Sequence, residues 1–220
     1  MHSIRPTRFV LIAMLIAQCA FSAASAGRAD NAVNSMQAQP KSAEKVVLAG
    51  GCFWGMEAVF EQLKGVSTVV SGYSGGAAAT AHYEMVSTGL TGHAESVEVT
   101  YDPSQISFGQ ILAVYFLVAH NPTELNRQGP DEGSQYRSEI YFTSDAQKRA
   151  AQSFIADMEA QKTFKEKIVT QVAALQAFYP AEDYHQHFVE RNPDYPYVVY
   201  NDLPKLAALR QKFPDMLKHR

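Results

Sequence analysis

The chain of 220 residues is long enough for one domain with a sizeable core, or at most two small ones. Its 46% hydrophobic and 19% charged residues are typical of a globular protein and exclude a disordered or fibrous one. The formal net charge is -3 and lysine and arginine form no cluster, so nothing in the composition supports nucleic-acid binding.

The first 26 residues are predicted to be a secretory signal peptide. Arg5 and Arg8 form a basic start, an apolar run covers residues 9–17, and Ala-Ser-Ala at 24–26 is a small-residue cleavage signal. We therefore expect an exported protein, periplasmic or secreted. An uncleaved membrane anchor is an alternative, because no charge occurs between residues 9 and 26. Lipid attachment at Cys19 is a second, minor alternative to a simple cleaved signal peptide.

The chain has two cysteines, Cys19 and Cys52. Cleavage after residue 26 would leave Cys52 as the single thiol of the mature chain, which could then form no internal disulfide. Because disulfides usually form in exported proteins, a lone thiol there is interpreted as intermolecular or reactive.

Residues 27–44 are small and polar without periodicity, which predicts a flexible lead-in to a single domain at 45–220. Hydrophobic spacing predicts strands over residues 45–49, 66–73, 95–101, 138–142 and 168–175. It predicts helices over residues 55–63, 107–120, 144–162 and 182–190, with loops at 74–80 and 121–133. Ser107 and Ser144 are plausible helix N-caps. The tail beyond Pro193 is rich in proline and tyrosine.

This order contains a β-α-β-β-α-β run. It favours an α+β fold, a two-layer sandwich in which helices pack on a mostly antiparallel sheet with a ferredoxin-like (plait) core.

Cys52 is predicted to lie between the end of a strand and the start of a helix. Backbone N–H groups and the helix dipole stabilise a thiolate at such a position, which would make Cys52 a nucleophile. A buried, inert thiol is the alternative. Phe53 and Trp54 follow directly and could form an apolar pocket for a methyl or thioether group, or belong to the ordinary core.

Residues 51–55, Gly-Cys-Phe-Trp-Gly after a short strand, resemble the active-site signature of the A-type peptide methionine sulfoxide reductases. Further stretches agree with that family in the same order, at residues 72–76, 91–95, 101–103, 126–129, 133–138 and 181–186. The resemblance covers roughly residues 45–200.

The resemblance implies reduction of methionine S-sulfoxide, free or in proteins, to methionine without a bound cofactor. In the family's pattern Cys52 is the nucleophile that attacks the sulfoxide sulfur, and Phe53 and Trp54 form the methyl pocket. Glu95 matches the family's carboxylic acid, which must be desolvated to stay protonated at neutral pH.

Three more positions are carried over from the family. Tyr83 and Tyr136 match tyrosines that donate O–H bonds to the sulfoxide oxygen, and Asp131 matches an acidic residue that supports them. On sequence alone, Glu95 could be a solvent-facing charge and Asp131 a turn residue. Residues 80–82, Thr-Ala-His, precede Tyr83 where relatives more often have Asn-Pro.

A second departure lies in the tail. Many relatives carry resolving cysteines near the C-terminus, and residues 192–220 contain none. The sulfenic acid left on Cys52 would therefore be reduced by an external thiol, either a thioredoxin-like protein or a small thiol. We expect a monomer.

Other functions remain open at this stage. A thiol peroxidase would form the same sulfenic acid from a hydroperoxide, and a non-enzymatic exported binding domain would hold Cys52 inert. A Cys–His hydrolase is a weaker alternative, because no sequence feature assigns a histidine to Cys52.

His185 and His187, near Asp183, are spaced i, i+2 rather than i, i+4, the spacing that places two ligands on one face of a helix. We therefore predict that both histidines are structural and that they form no metal site.

Overall fold

The computed structural model describes residues 42–218. The predicted signal peptide and nearly all of the predicted lead-in lie outside the described residues. Among the helices described, none is both long and apolar enough to cross a membrane.

Six strands form one sheet in the order β7-β6-β1-β3-β2-β8, and two further strands form a separate hairpin, β4-β5. The strands are β1 (Glu44–Gly50), β2 (Val66–Ser74), β3 (Ala94–Tyr101), β4 (Arg127–Gln128), β5 (Asp131–Glu132), β6 (Ser138–Phe142), β7 (Gln171–Ala174) and β8 (Phe178–Pro180). Neighbours in the large sheet are antiparallel except β6 and β7. The central order β6-β1-β3-β2 is that of a plait core, so the predicted α+β fold is confirmed.

The helices are α1 (Phe53–Glu61), α2 (Tyr83–Val86), α3 (Phe108–Val114), α4 (Asp145–Ala160), α5 (Phe188–Arg191) and α6 (Leu203–Lys212). A π-helical turn at Tyr115–Ala119 continues α3, so this segment runs nearly as far as predicted. Both predicted N-caps are confirmed. Ser107 forms a full capping box with Gln110, and the Ser144 side chain accepts the Gln147 N–H.

β1 is buried on both of its faces, which fixes the strand that leads into Cys52. Val46 and Leu48 belong to the main core together with Phe60 of α1. Val47 and Ala49 alternate with them and join a smaller apolar cluster. The helix start after β1 is therefore anchored by a strand whose last five residues, 46–50, have no solvent-facing side.

Several short elements differ from the prediction. The β4-β5 hairpin lies within the predicted loop over 121–133, whereas α2, β8 and α6 lie in stretches for which no element was predicted. The predicted helix over 182–190 is helical only at Phe188–Arg191, because residues 183–187 form turns. The predicted strand over 168–175 shrinks to Gln171–Ala174.

Candidate active site

Cys52 occupies the N-cap position of α1, directly after β1. Gly51 makes the turn between them with φ +90, a left-handed conformation that favours glycine, and a Cβ there would lie 2.5 Å from the Gln128 side chain. Cys52 is a free cysteine and is 8% exposed. The predicted placement between strand end and helix start is therefore confirmed.

A cavity of about 180 Å³ opens at Cys52. It brings together all seven residues that the sequence singled out, and two tyrosines that it did not. The lining consists of Cys52, Phe53, Trp54, Tyr83, Glu95, Asp131, Tyr136, Tyr195 and Tyr197. Tyr195 and Tyr197 come from the tail, where the abundance of proline and tyrosine was the sole signal of their presence.

Glu95 lies at the start of β3 and is 3% exposed. Its Oε2 accepts the Phe53 backbone N–H at 3.1 Å, which leaves Oε1 to carry a proton. Burial raises the pKa of Glu95 to about 8, and the Phe53 N–H opposes the rise while Asp131 adds to it. At neutral pH this carboxyl is mainly protonated and can act as a general acid.

The Cys52 thiol has a pKa raised well above its ordinary value. Burial is the largest cause, followed by the carboxylates of Glu95 and Asp202, while the Trp54 N–H and Lys205 act in the opposite direction. The helix start alone therefore does not lower the pKa of Cys52, because burial, together with the Asp202 and Glu95 carboxylates when they are charged, outweighs the backbone dipoles. A proton on Glu95 removes one of those charges.

Asp202 and Lys205 reach this end of α1 from the tail, and no sequence pattern predicted either. A Cβ at Gly55 would lie 2.1 Å from Asp202 Oδ1, so the last glycine of the 51–55 motif leaves room for this carboxylate. Asp202 is fully buried, and Lys205 Nζ lies 3.4 Å from its Oδ1. Burial raises the pKa of Asp202 to about 6, and Lys205 opposes the rise.

Tyr83 and Tyr136 face the cavity with pKa values raised by burial and then by the Glu95 charge. Their hydroxyls therefore stay protonated and can donate hydrogen bonds. Glu182 holds the start of α2, because its Oε1 accepts the Tyr83 backbone N–H at 2.9 Å and its Oε2 accepts the Tyr73 hydroxyl at 2.8 Å. Tyr83 reaches the cavity although His82, rather than a proline, precedes it.

Asp131 lies in the β4-β5 hairpin and accepts a hydrogen bond from the Tyr197 hydroxyl. Burial raises the pKa of Asp131, while Tyr197 and Lys205 lower it. The pair joins the hairpin to the tail in the lining of the cavity.

The Trp54 ring is fixed from several sides. It stacks on Phe188 with ring centroids 3.7 Å apart, and its Nε1–H donates to His185 Nδ1 at 3.1 Å. Tyr195 and Tyr197 meet it edge-on. This makes a rigid aromatic wall beside Cys52, suited to a methyl or thioether group.

The two histidines near Asp183 separate in the fold. His185 is 2% exposed and packs against the rings of Phe53 and Tyr83, as a structural residue would. His187 instead lies beside Glu57 and Glu61, outside the cavity at Cys52.

The sequence matches a known family along almost all of the described region. The model of the family described as peptide methionine sulfoxide reductase matches residues 44–217. Peptide methionine sulfoxide reductase MsrA 2 of Mesorhizobium japonicum is 57% identical over 177 residues, 80% of this chain and 91% of that protein. MsrA 2 of Synechocystis is 53% identical over 186 residues, 84% of this chain and 87% of that protein.

Solved structures share the fold. The reduced form of Mxr1 from Saccharomyces cerevisiae has a TM-score of 0.65 and 31% identity, over 71% of this chain and 90% of that one. Methionine sulfoxide reductase A of Corynebacterium diphtheriae has a TM-score of 0.65 and 34% identity, over 71% of this chain and 77% of that one. On sequence and on fold, the chain belongs to the family of A-type peptide methionine sulfoxide reductases.

Proposed function

We propose that this protein reduces methionine S-sulfoxide, free or in oxidised proteins, with Cys52 as the nucleophile and an external thiol as the final reductant. The observation that carries the proposal is the meeting of a thiol, a carboxyl with a pKa of about 8 and an aromatic wall in one cavity. Sulfoxide reduction needs these three features together: an attacking sulfur, an acid for the departing oxygen, and a pocket for the methyl group.

The arrangement sets the orientation of the substrate. Its methyl group packs against Phe53 and Trp54, and its oxygen points to Glu95, Tyr83 and Tyr136. Asp131 and Tyr197 hold the polar side of the cavity in place. Cys52 then faces the sulfoxide sulfur, which carries partial positive charge.

The chemical step transfers the oxygen to Cys52. Glu95 gives its proton to the sulfoxide oxygen and regains one from the Cys52 thiol, while the Cys52 sulfur bonds to the substrate sulfur. The substrate S–O bond breaks as the oxygen bonds to the Cys52 sulfur as a hydroxyl, and the bond between the two sulfurs breaks as methionine leaves. The substrate sulfur gains two electrons, and Cys52 loses two and becomes a sulfenic acid.

Regeneration requires a thiol from outside. An external thiol condenses with the Cys52 sulfenic acid to a mixed disulfide and water, and a second thiol releases the Cys52 thiol. The chain's other cysteine is Cys19, within the predicted signal peptide. A thioredoxin-like protein or a small thiol is the proposed reductant.

The proposed location is the periplasm or the exterior of the cell. The support is in the sequence: a basic start, an apolar run and the Ala-Ser-Ala signal within residues 1–26. The mature chain would begin at residue 27 and act as a monomer.

The first test is turnover of the mature chain with S- and R-methionine sulfoxide and a small dithiol, beside Cys52→Ser. We expect methionine from the S epimer alone and none from the variant. Failure with both epimers, with Cys52 shown to be reduced, would contradict the proposal. Turnover of hydroperoxide under those conditions would support a thiol peroxidase instead.

A further inference from the structure

A second polar cluster lies on α1, away from the cavity at Cys52. Glu57 and Glu61 are four residues apart and therefore share one face of the helix. His187, just before α5, faces both, and one ligand atom from each residue lies within 4.8 Å of the others. The cluster lines a separate cavity of about 680 Å³, whose wall also includes Trp54 and Glu190.

Glu57 is the unusual member, because its carboxylate is buried while only one of its two oxygens accepts a hydrogen bond. It is 1% exposed, and Oε2 accepts the His187 backbone N–H at 2.8 Å. Oε1 has no hydrogen-bond partner among the described residues and lies 4.0 Å from His187 Nδ1. The Ser71 hydroxyl lies near this carboxylate but outside hydrogen-bond geometry, and it too has no partner among the described residues. A buried carboxylate oxygen without a full hydrogen bond is costly, so this one points to a cationic ligand that would complete the cluster.

Electrostatics lead to the same conclusion. Glu190 lines the same cavity as Glu57 and Glu61. Three carboxylates thus gather around one imidazole, an excess of negative charge that a divalent cation would offset.

The spacing fits a small, four-coordinate ion. Zinc binds histidine and carboxylate ligands at about 2.0–2.2 Å, which in a tetrahedron places ligand atoms about 3.4 Å apart. His187 Nδ1 lies 2.6 Å from Glu61 Oε1 and 4.0 Å from Glu57 Oε1, on either side of that distance. The partly exposed side chains of Glu61 and His187 can adjust, while the buried Glu57 stays fixed.

The backbone already holds the histidine in position. His187 has φ +53, a left-handed conformation that histidine and asparagine adopt more readily than most residues. The bond from its N–H to Glu57 keeps that turn in place, so the imidazole faces α1 before any ion arrives.

From this geometry we propose that Glu57, Glu61 and His187 bind one Zn²⁺, with the remaining coordination position open to the adjoining cavity. One imidazole with two carboxylates is a ligand set for zinc, whereas calcium and magnesium prefer oxygen ligands alone. The site differs from the one rejected on sequence grounds, because its two acidic ligands come from α1 and not from the neighbourhood of Asp183.

Isothermal titration of the untagged chain with Zn²⁺ tests the proposal. The Cys52→Ser background keeps the thiol from binding the metal. We expect one Zn²⁺ per chain, and affinity about tenfold or more lower in Glu61→Gln and in His187→Asn. The matched control is His82→Asn. This histidine also lies beside a carboxylate, with its Nδ1 3.3 Å from Glu84 Oε2, but it does not belong to the proposed site. Its replacement should leave the affinity for Zn²⁺ unchanged.

Asparagine at 187 tolerates the left-handed backbone, so this variant should fold, and its thermal midpoint without metal checks that it does. Absence of Zn²⁺ binding to the parent would overturn the proposal. So would an affinity that neither Glu61→Gln nor His187→Asn lowers.

Fluorescence gives a second readout. Trp54 is the chain's one tryptophan, lines the same cavity and stacks on Phe188, the residue after His187. Cu²⁺ binds nitrogen and oxygen ligands more tightly than Zn²⁺ and quenches a nearby indole. We expect saturable quenching in the parent and in His82→Asn, and its loss in His187→Asn. Quenching that survives in both His187→Asn and Glu61→Gln would place the ion elsewhere and contradict the proposal.

Discussion

Glu95 is the residue on which the proposed proton transfer depends. Glu95→Gln keeps the shape and can still accept the Phe53 N–H, but it has no acidic proton. We expect kcat/KM for S-methionine sulfoxide to fall by about 100-fold or more. Glu98→Gln, on the same strand and paired with Lys45, is the matched control and should stay within a factor of about two.

The dependence of kcat/KM on pH should follow the titration of Glu95. Because the reaction needs Glu95 protonated and its pKa is raised to about 8, kcat/KM should hold below that pH and fall as the pH rises through it. The residual activity of Glu95→Gln should lack this falling limb. An unchanged limb in the variant would assign the titration to another group.

The proton on Glu95 also affects stability. Its pKa is about 8 in the folded state against an ordinary value of 4.5, so the folded protein binds the proton more tightly than the unfolded chain. Its favourable contribution is complete below pH 4.5 and disappears as the pH rises to about 8. Glu95→Gln should therefore gain stability relative to the parent between pH 5 and pH 8, on the order of a few kcal/mol, measured by urea unfolding. A pH-independent difference would contradict the shift.

Among the α-helices, α2 is the shortest that carries a site residue, and Glu182 is the residue that positions it. Glu182→Ala removes the acceptor for the Tyr83 N–H and the Tyr73 hydroxyl. We expect kcat/KM to fall about tenfold, while the rate of Cys52 alkylation in the free protein stays the same, because Cys52 is held by β1 and α1. Asp183→Ala, at the exposed neighbouring position, is the control. A matching loss of alkylation rate would show a general disruption instead.

The elements also show how far sequence patterning extends. Some elements could be predicted because their apolar residues recur at strand or helix spacing over several residues, or because a capping residue such as Ser107 or Ser144 precedes them. These are β1 to β3, α3, β6 and α4. α2 and β8 have four and three residues, too short for a period to appear. α6 has Pro204 in its first turn, a position where proline is compatible with a helix. The segment before α6 is rich in proline and tyrosine, however, and that composition predicts irregular structure rather than a helix.

The site residues likewise divide into those that could be predicted from the sequence and those seen only in the structure. The family motifs contain five of the seven predicted residues, and the wider resemblance supplies Tyr83 and Asp131, whereas Tyr197, Asp202 and Lys205 come from a tail that no motif marked. The direction of the Cys52 pKa could not be read from the sequence. The helix start was visible there, but burial and the approach of Asp202 exist only once the tail has folded against α1.

At the scale of the whole molecule, the supply of thiols limits turnover. Without added reductant, the mature chain should form one methionine per chain and then stop, with Cys52 left as a sulfenic acid. Quantifying methionine and labelling Cys52 with dimedone would check this, and Cys52→Ser should give neither product. Two or more methionines per chain would mean that another group resolves the sulfenic acid.

The anchoring of β1 has a consequence for how the folded protein fluctuates. β1 has hydrogen-bonded neighbours on both edges and side chains buried on both faces, so its amides should exchange with solvent only through global unfolding. Tyr195 is 47% exposed and lies in the tail, outside the sheet. We therefore expect its edge of the aromatic wall to yield to a bulky polypeptide more readily than β1, to which the nucleophile is attached.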